Sequence, residues 1–145
     1  MPKIQNPGDC ACFNLRRASR LVAQVYDRYL LPSGLTNTQF ALFAALSKLG
    51  PFSITGLAES LGMERTTLTR NLKLVERQGL VGIGPGKDAR SRDVRLTDAG
   101  KAALEKAMPL WNQAQIRMVK TLGPDHFGSL LTELRTVAEA APTIQ

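Results

Sequence analysis

Apolar residues recur at helical spacing over most of the chain. The first such series, with neighbours three or four positions apart, comprises Leu15, Ala18, Val22, Val25 and Tyr29. Spacing of this kind places side chains on one face of an α-helix. The pattern predicts a first helix over residues 10–31, with Asp9 as its N-cap and its end before Pro32.

The segment LTNTQF marks the start of a second helix. Thr36 and Gln39 have the spacing of a capping box, and Leu35 and Phe40 have the spacing of a hydrophobic staple. The helix is expected to end at Gly50, which precedes a proline. Its predicted inward positions are Phe40, Phe43, Leu46 and Leu49.

Two short helices are predicted next, over residues 54–61 and 64–77. Gly62 permits a sharp turn between them, so the pair resembles a helix-turn-helix. The second of the two is expected to end in a Schellman motif, with Gly79 in the left-handed conformation and Leu80 contacting Val75.

The remaining segments predict a ribbon and two long helices. Val81 and Ile83 alternate with polar or small residues, as do Val94 and Leu96, which is typical of two paired strands. Thr97 is expected to cap a helix over 98–121 that Pro109 kinks, and a last helix follows Gly123. The predicted fold class is mainly α, with six helices and a two-stranded β-wing.

The terminal helices, 10–31 and 98–141, carry long apolar stripes outside a nearly self-sufficient central unit over 36–97. We therefore expect a second copy of the chain to cover these stripes in a homodimer. At 145 residues, the chain fits one domain.

The charge of the chain narrows the class of partner. A net charge of +7 favours an anionic partner, which could be nucleic acid, an acidic protein or a membrane surface. Because no apolar run approaches the roughly 18 residues of a membrane-spanning helix, and the first residues lack a signal-peptide core, a cytoplasmic protein without a membrane partner is expected.

One face of the 64–77 helix has the chemistry of a nucleic-acid reader. It carries hydroxyl and cationic groups and no carboxylate, and its residues are Thr66, Thr69, Arg70 and Lys73, with Arg65 and Thr67 on the flanks. Such groups can donate hydrogen bonds to base edges or phosphates. The alternative is an ordinary solvated helix face.

The loop GPGKDARSRDVRLT clusters three cations at its tip: Lys87, Arg90 and Arg92. A basic hairpin loop directly after a helix-turn-helix resembles the wing of a winged-helix domain, which could reach a narrow minor groove. Asp88 is expected to pin a neighbouring arginine and so order the loop. A solvated turn is the alternative.

These motifs together resemble the MarR family of bacterial transcriptional regulators. The resemblance rests on LAESLGMERTTLTRNLKLVERQGLV, on Asp88 and Arg90 leading to Leu96-Thr97 and Gly100, and on PLW at 109–111. It implies a winged-helix homodimer that binds a pseudo-palindrome in double-stranded DNA as a repressor, with half-sites about 10 bp apart.

The resemblance also implies release of DNA by a small lipophilic or aromatic effector bound between the dimerisation helices and the winged domain. The expected pocket residues are Phe13, Arg17, Tyr26, Phe43, Leu46, Met108 and Trp111. Arg16 and Arg17 suggest a carboxylate in this effector, although arginines on a first helix commonly face solvent.

The two cysteines suggest a different input. Cys10 and Cys12 are expected in the first helical turn, where the helix dipole and Arg16 favour a thiolate. CFNLRRASR resembles the peroxide-sensing OhrR branch of the family, which aligns Cys12 with a reactive cysteine and Tyr26 with a tyrosine that contacts it. Arg16 and Asn37 replace that branch's other two tyrosines. Two buried, inert thiols are the alternative, and a Cys10–Cys12 disulfide would require unwinding of the helix.

Other chemistries find little support in the sequence. GIGPGKD lacks the spacing of a phosphate-binding loop, and His126 has no neighbouring metal ligands. No nucleophile-base arrangement suggests an enzyme, and no cofactor is expected. The main alternative to a DNA-binding regulator is a winged-helix adaptor that binds other proteins.

Overall fold

The computed structural model describes residues 6–88 and 90–144. Within these ranges the chain forms six α-helices and three β-strands, in the order α1 Ala11–Leu30, α2 Asn37–Leu49, β1 Phe52–Ser53, α3 Ile54–Leu61, α4 Arg65–Arg77, β2 Val81–Pro85, β3 Arg92–Leu96, α5 Asp98–Leu122 and α6 Pro124–Ala140. None of these helices is long and apolar enough to cross a membrane.

The start of α1 differs from the prediction. Asp9 belongs to a short 3-10 turn over Pro7–Asp9, and Cys10 is the N-cap residue of α1. The helix begins one residue later than expected because the backbone of Cys10 is extended. Asn14 holds this entry in place, since its side-chain amide donates to the carbonyl of Gly8 at 2.7 Å and to that of Cys10 at 3.0 Å.

The capping box of α2 is confirmed. The Thr36 hydroxyl accepts from the N–H of Gln39 at 3.2 Å, and the Gln39 side chain accepts from the N–H of Thr36 at 3.1 Å. The last helical residue is Leu49, and Gly50 ends the helix as its C-cap, as predicted. However, the side chain of Leu49 is 46% exposed, so its predicted inward position is wrong. As the last residue of the helix, it extends beyond the core, in which Leu42 is buried.

The turn and the end of the helix-turn-helix are also confirmed. Gly62 takes the left-handed conformation between α3 and α4, where a side chain would be strained. At the end of α4 the N–H of Leu80 donates to the carbonyl of Val75 at 3.0 Å, and that of Gly79 to Glu76 at 2.9 Å. These two bonds form the predicted Schellman motif.

The predicted ribbon is confirmed, and its register places Val81 opposite Leu96 and Ile83 opposite Val94. The two-stranded description is incomplete, because β1 pairs with β3 and the sheet order is β1-β3-β2. A strand of two residues is too short for alternating polarity to reveal it. We call the loop between β2 and β3 the wing. The pairing of β1 with β3 joins the start of α3 to the base of this wing.

Helix α5 runs past Pro109 without ending, because a proline in a helix removes only one backbone hydrogen bond. Thr97 caps it as predicted, accepting from the N–H of Gly100 at 3.1 Å. Helix α6 contributes no buried residue. Its apolar side chains are instead substantially exposed, with 40% of Leu134 and 44% of Val137 accessible.

Candidate nucleic-acid interface

Helix α4 presents its polar face to solvent because its apolar face is anchored in the core. Leu68, Leu72 and Val75 are fully buried, which directs the opposite face outward. A shallow depression of about 390 Å³ lies along that face, lined by Arg65, Thr66, Thr69, Arg70 and Lys73. The structure therefore gathers five of the six residues predicted on this helix. The sixth, Thr67, is exposed beside the depression.

The tip of the wing is held by a small hydrogen-bond network. The N–H of Gly86 donates to the carbonyl of Ser91, and the N–H and hydroxyl of Ser91 donate to the carbonyl of Asp88. The carboxylate of Asp88 accepts from the backbone N–H of Arg90 at 3.3 Å. Asp88 thus holds Arg90, a neighbouring arginine, and does so through the main chain, in the manner of an Asx turn.

Gly86 packs closely against side chains of the wing. A Cβ atom at this position would lie 2.2 Å from the Ser91 hydroxyl and 2.7 Å from the Asp93 carboxylate. The predicted cations Lys87, Arg90 and Arg92 are all exposed around this compact turn. Their charges are therefore free to face a ligand.

A second depression, of about 150 Å³, connects the wing with α4. It is lined by Ser53, Ile54, Thr55, Arg65, Asp88, Arg90, Ser91 and Arg92. Arg65 borders both depressions, so the polar face of α4 and the wing form one continuous surface. We call this the basic surface. Its cations outnumber its one carboxylate, Asp88, which gives it a positive potential suited to a polyanion.

The sequence did not single out Ser53, Thr55 and Ser91 as members of this surface. Ser53 could have been noticed as the N-cap of α3, since its hydroxyl accepts from the N–H of Gly56 at 3.0 Å. The place of Thr55 beside the wing depends on the pairing of β1 with β3, which no sequence pattern indicated.

The seven residues predicted to bind an effector lie in different environments of the subunit. A groove of about 830 Å³ lies between α1, α5 and α6, and only Tyr26 of the seven lines it. Phe43 and Leu46 lie in the core because α2 packs inward, and Trp111 stacks on Phe40 with ring centroids 5.5 Å apart. The other three, which do not line the groove, are Phe13, Arg17 and Met108; all are exposed.

The groove is mostly apolar and has a polar group at its edge. The Tyr26 hydroxyl donates to the side-chain oxygen of Gln115, and burial raises the pKa of Tyr26. Asn37 also lines the groove, and its backbone and side-chain N–H groups both donate to Asp27, at 2.7 and 2.9 Å. These bonds tie α1 to α5 and to the start of α2.

Both cysteines are free and exposed in the chain. The alternative of two buried, inert thiols is therefore wrong for the isolated subunit. Cys12 lies in the first turn of α1, as predicted, whereas Cys10 precedes the helix. In the part of the chain that the structure describes, no three potential ligands come together to hold a metal ion.

Comparison with known proteins identifies similar regulators. Residues 33–91 match the model of the MarR family. The chain is 43% identical to the transcriptional regulator MosR of M. tuberculosis, solved in complex with DNA, with a TM-score of 0.83 over 93% of this chain and 98% of that one. It is 28% identical to the repressor CouR, solved on a 23-mer DNA duplex, with a TM-score of 0.81 over 95% and 99% of the two chains. YwoH of Bacillus subtilis (strain 168), an HTH-type transcriptional regulator, is 29% identical over 63% of this chain and 67% of its own length.

Proposed function

The chain belongs to the MarR family, and from this premise we propose that it is a sequence-specific regulator of transcription that binds double-stranded DNA and acts as a repressor. The observation that carries the proposal is the continuity of the basic surface through Arg65. It joins the hydroxyl-rich face of α4 to the cations of the wing. The structures of MosR and CouR on DNA support the same assignment.

In this proposal the two parts of the basic surface have different roles. Helix α4 enters the major groove, where Arg70 and the threonine hydroxyls donate to base edges and Lys73 neutralises a phosphate. The wing follows the backbone, and Arg90 inserts into the adjacent minor groove. Arg65, between the two parts, is placed to contact the phosphate backbone where it separates the grooves.

We further propose that the chain acts as a homodimer. The apolar groove between α1, α5 and α6 and the exposed apolar side chains of α6 form a surface that a second copy would bury. Residues 10–31 and 98–141 then serve as the dimerisation helices, and residues 36–97 as the winged helix-turn-helix. Two copies related by a two-fold axis would read half-sites about one helical turn apart.

The test is selection of bound fragments from random DNA by the purified protein. An enriched inverted repeat is the expected result, and the affinity for it should fall steeply with salt, by about 0.9 log unit per log unit of salt for each neutralised phosphate. A winged-helix adaptor would instead give no saturable DNA binding.

A pair of lysine variants tests whether binding depends on phosphate contacts at α4 or only on the net charge of the protein. Lys73→Ala should reduce the salt slope by about 0.9, the value of one phosphate contact. Lys106→Ala removes the same charge from an exposed position on α5 and should leave the slope unchanged. Equal effects of the two substitutions would show that only the net charge matters.

We propose two inputs that could release the DNA. The first is a lipophilic or aromatic effector; CouR has been solved with p-coumaroyl-CoA, and screening aromatic acids for loss of DNA binding tests this input here. The seven predicted effector residues remain a proposal, of which Tyr26 lies on the groove.

The second input is oxidation of Cys12, whose exposed thiol could be converted to a sulfenate by an organic hydroperoxide. Treatment with the hydroperoxide should weaken the DNA binding of the native protein and of the Cys10→Ser variant. It should leave the DNA binding of the Cys12→Ser variant unchanged. Unchanged affinity in the native protein would remove this input.

A further inference from the structure

The end of α4 meets the start of α5 at a tight junction. The hydroxyl of Thr97 donates to the carbonyl of Gly79 at 2.6 Å, and the backbone N–H of Thr97 donates to that of Leu80 at 3.2 Å. The same hydroxyl accepts from the N–H of Gly100 to cap α5. One side chain therefore joins the C-terminal end of the DNA-facing helix to the N-terminal end of the long helix assigned to dimerisation.

Gly100 allows α5 to approach the backbone of Leu80 more closely than a residue with a side chain would. A Cβ atom at this position would lie 2.0 Å from the carbonyl oxygen of Leu80, which is a backbone atom and cannot rotate away. Helix α4 packs mainly against α3 and β2, whereas α5 packs mainly against α1, α2, α6 and β3. The junction therefore holds together the ends of two helices that pack mainly against other elements.

The junction lies at the opposite end of α4 from Arg65 and Thr66. A helix of 13 residues is about 20 Å long. A rotation of about 10° at Gly79 would therefore move the far end by about 3.4 Å, which is the rise of one base pair. A small change of angle here is therefore amplified into a displacement of the size of one base-pair rise.

We propose that Thr97 is a positioning residue that fixes the angle between α4 and α5, and thereby the half-site spacing that the dimer accepts. This inference rests on the proposed function. Thr97 does not touch DNA in this role; it acts through the placement of α4.

Asparagine and aspartate are nearly isosteric, and comparing them at position 97 separates capping of α5 from donation to Gly79. Thr97→Asn retains an oxygen that caps α5 and an amide that can donate to Gly79. Thr97→Asp caps α5 equally well, but its carboxylate cannot donate and repels the carbonyl of Gly79. Thr97→Val removes the two hydrogen bonds of the hydroxyl, to Gly79 and from Gly100, without adding charge. Thr97→Ser retains these two bonds.

The measurement is affinity for a series of operators derived from the selected repeat, with half-sites about 9, 10 and 11 bp apart. The native protein, Thr97→Ser and Thr97→Asn should share one sharp optimum. In Thr97→Asp and Thr97→Val, the ratio of affinities between the best and the neighbouring spacings should fall by about 2- to 10-fold, the factor that one hydrogen bond contributes. Thermal unfolding checks that the Asn and Asp variants are equally folded.

The outcomes are distinct. If Thr97→Asp and Thr97→Val keep the native spacing profile, or lose affinity equally at every spacing, Thr97 has no positioning role. If the native protein binds no repeat at any spacing, the proposed function itself fails.

Discussion

Replacing Gly100 by alanine should destabilise the fold, although alanine is the better helix former. The added methyl would lie 2.0 Å from the Leu80 carbonyl oxygen, whereas ordinary contact begins at 3.4 Å, so α5 must move by about 1.4 Å. Overpacking of this kind costs about 1–3 kcal/mol, and the movement would strain the Thr97 bonds, worth about 1 kcal/mol each. The gain in helix propensity offsets only about 1 kcal/mol.

We therefore expect a net loss of about 2 kcal/mol, equivalent to a fall in Tm of about 6–8 °C for a chain of this size. The assay is urea and thermal unfolding followed by circular dichroism, with the protein concentration held constant because a dimer's stability depends on it.

Gly128→Ala is the matched control, since Gly128 also lies in a helix but has no atom within 4 Å of an added Cβ. This substitution should raise stability by up to about 1 kcal/mol. If both variants are stabilised alike, the close packing of α5 against Leu80 does not exist in solution.

Three further predictions concern the start of α2, the wing and the groove. Thr36→Ala removes the capping box and should lower the free energy of unfolding by about 1 kcal/mol in urea titrations, whereas Thr36→Ser should not. Arg90→Ala should weaken binding most on operators with A·T-rich flanks; an equal loss on every sequence would make Arg90 only a phosphate contact. Burial raises the pKa of Tyr26, so the folded state favours the neutral phenol. The neutral phenol therefore contributes to stability below pH about 10, and this contribution is lost as the pH rises through the raised pKa of the folded state. Tyr26→Phe should therefore show a smaller alkaline loss of stability than the native protein, and identical alkaline profiles would contradict this.

The polar face of α4 is a part of the site that the local hydrophobic pattern predicts. Its residues could be predicted because Leu68, Leu72 and Val75 fix the opposite face at a regular spacing. The effector residues could not be gathered in the same way. Their placement depended on which helices pack together, and the inward packing of α2 puts Phe43 in the core, away from the groove that Tyr26 lines.

Sequence patterns predicted the caps of α2 and α5, the turn at Gly62 and the two strands of the ribbon. Each of the caps, for example that of Thr36 on Gln39, uses hydrogen bonds between residues within five positions of each other, and such bonds form whatever surrounds them. Three features could not be predicted in this way: β1 pairs with β3, Arg65 joins α4 to the wing, and Thr97 reaches Gly79. These contacts connect residues 18 or more positions apart, and they depend on how the whole core packs.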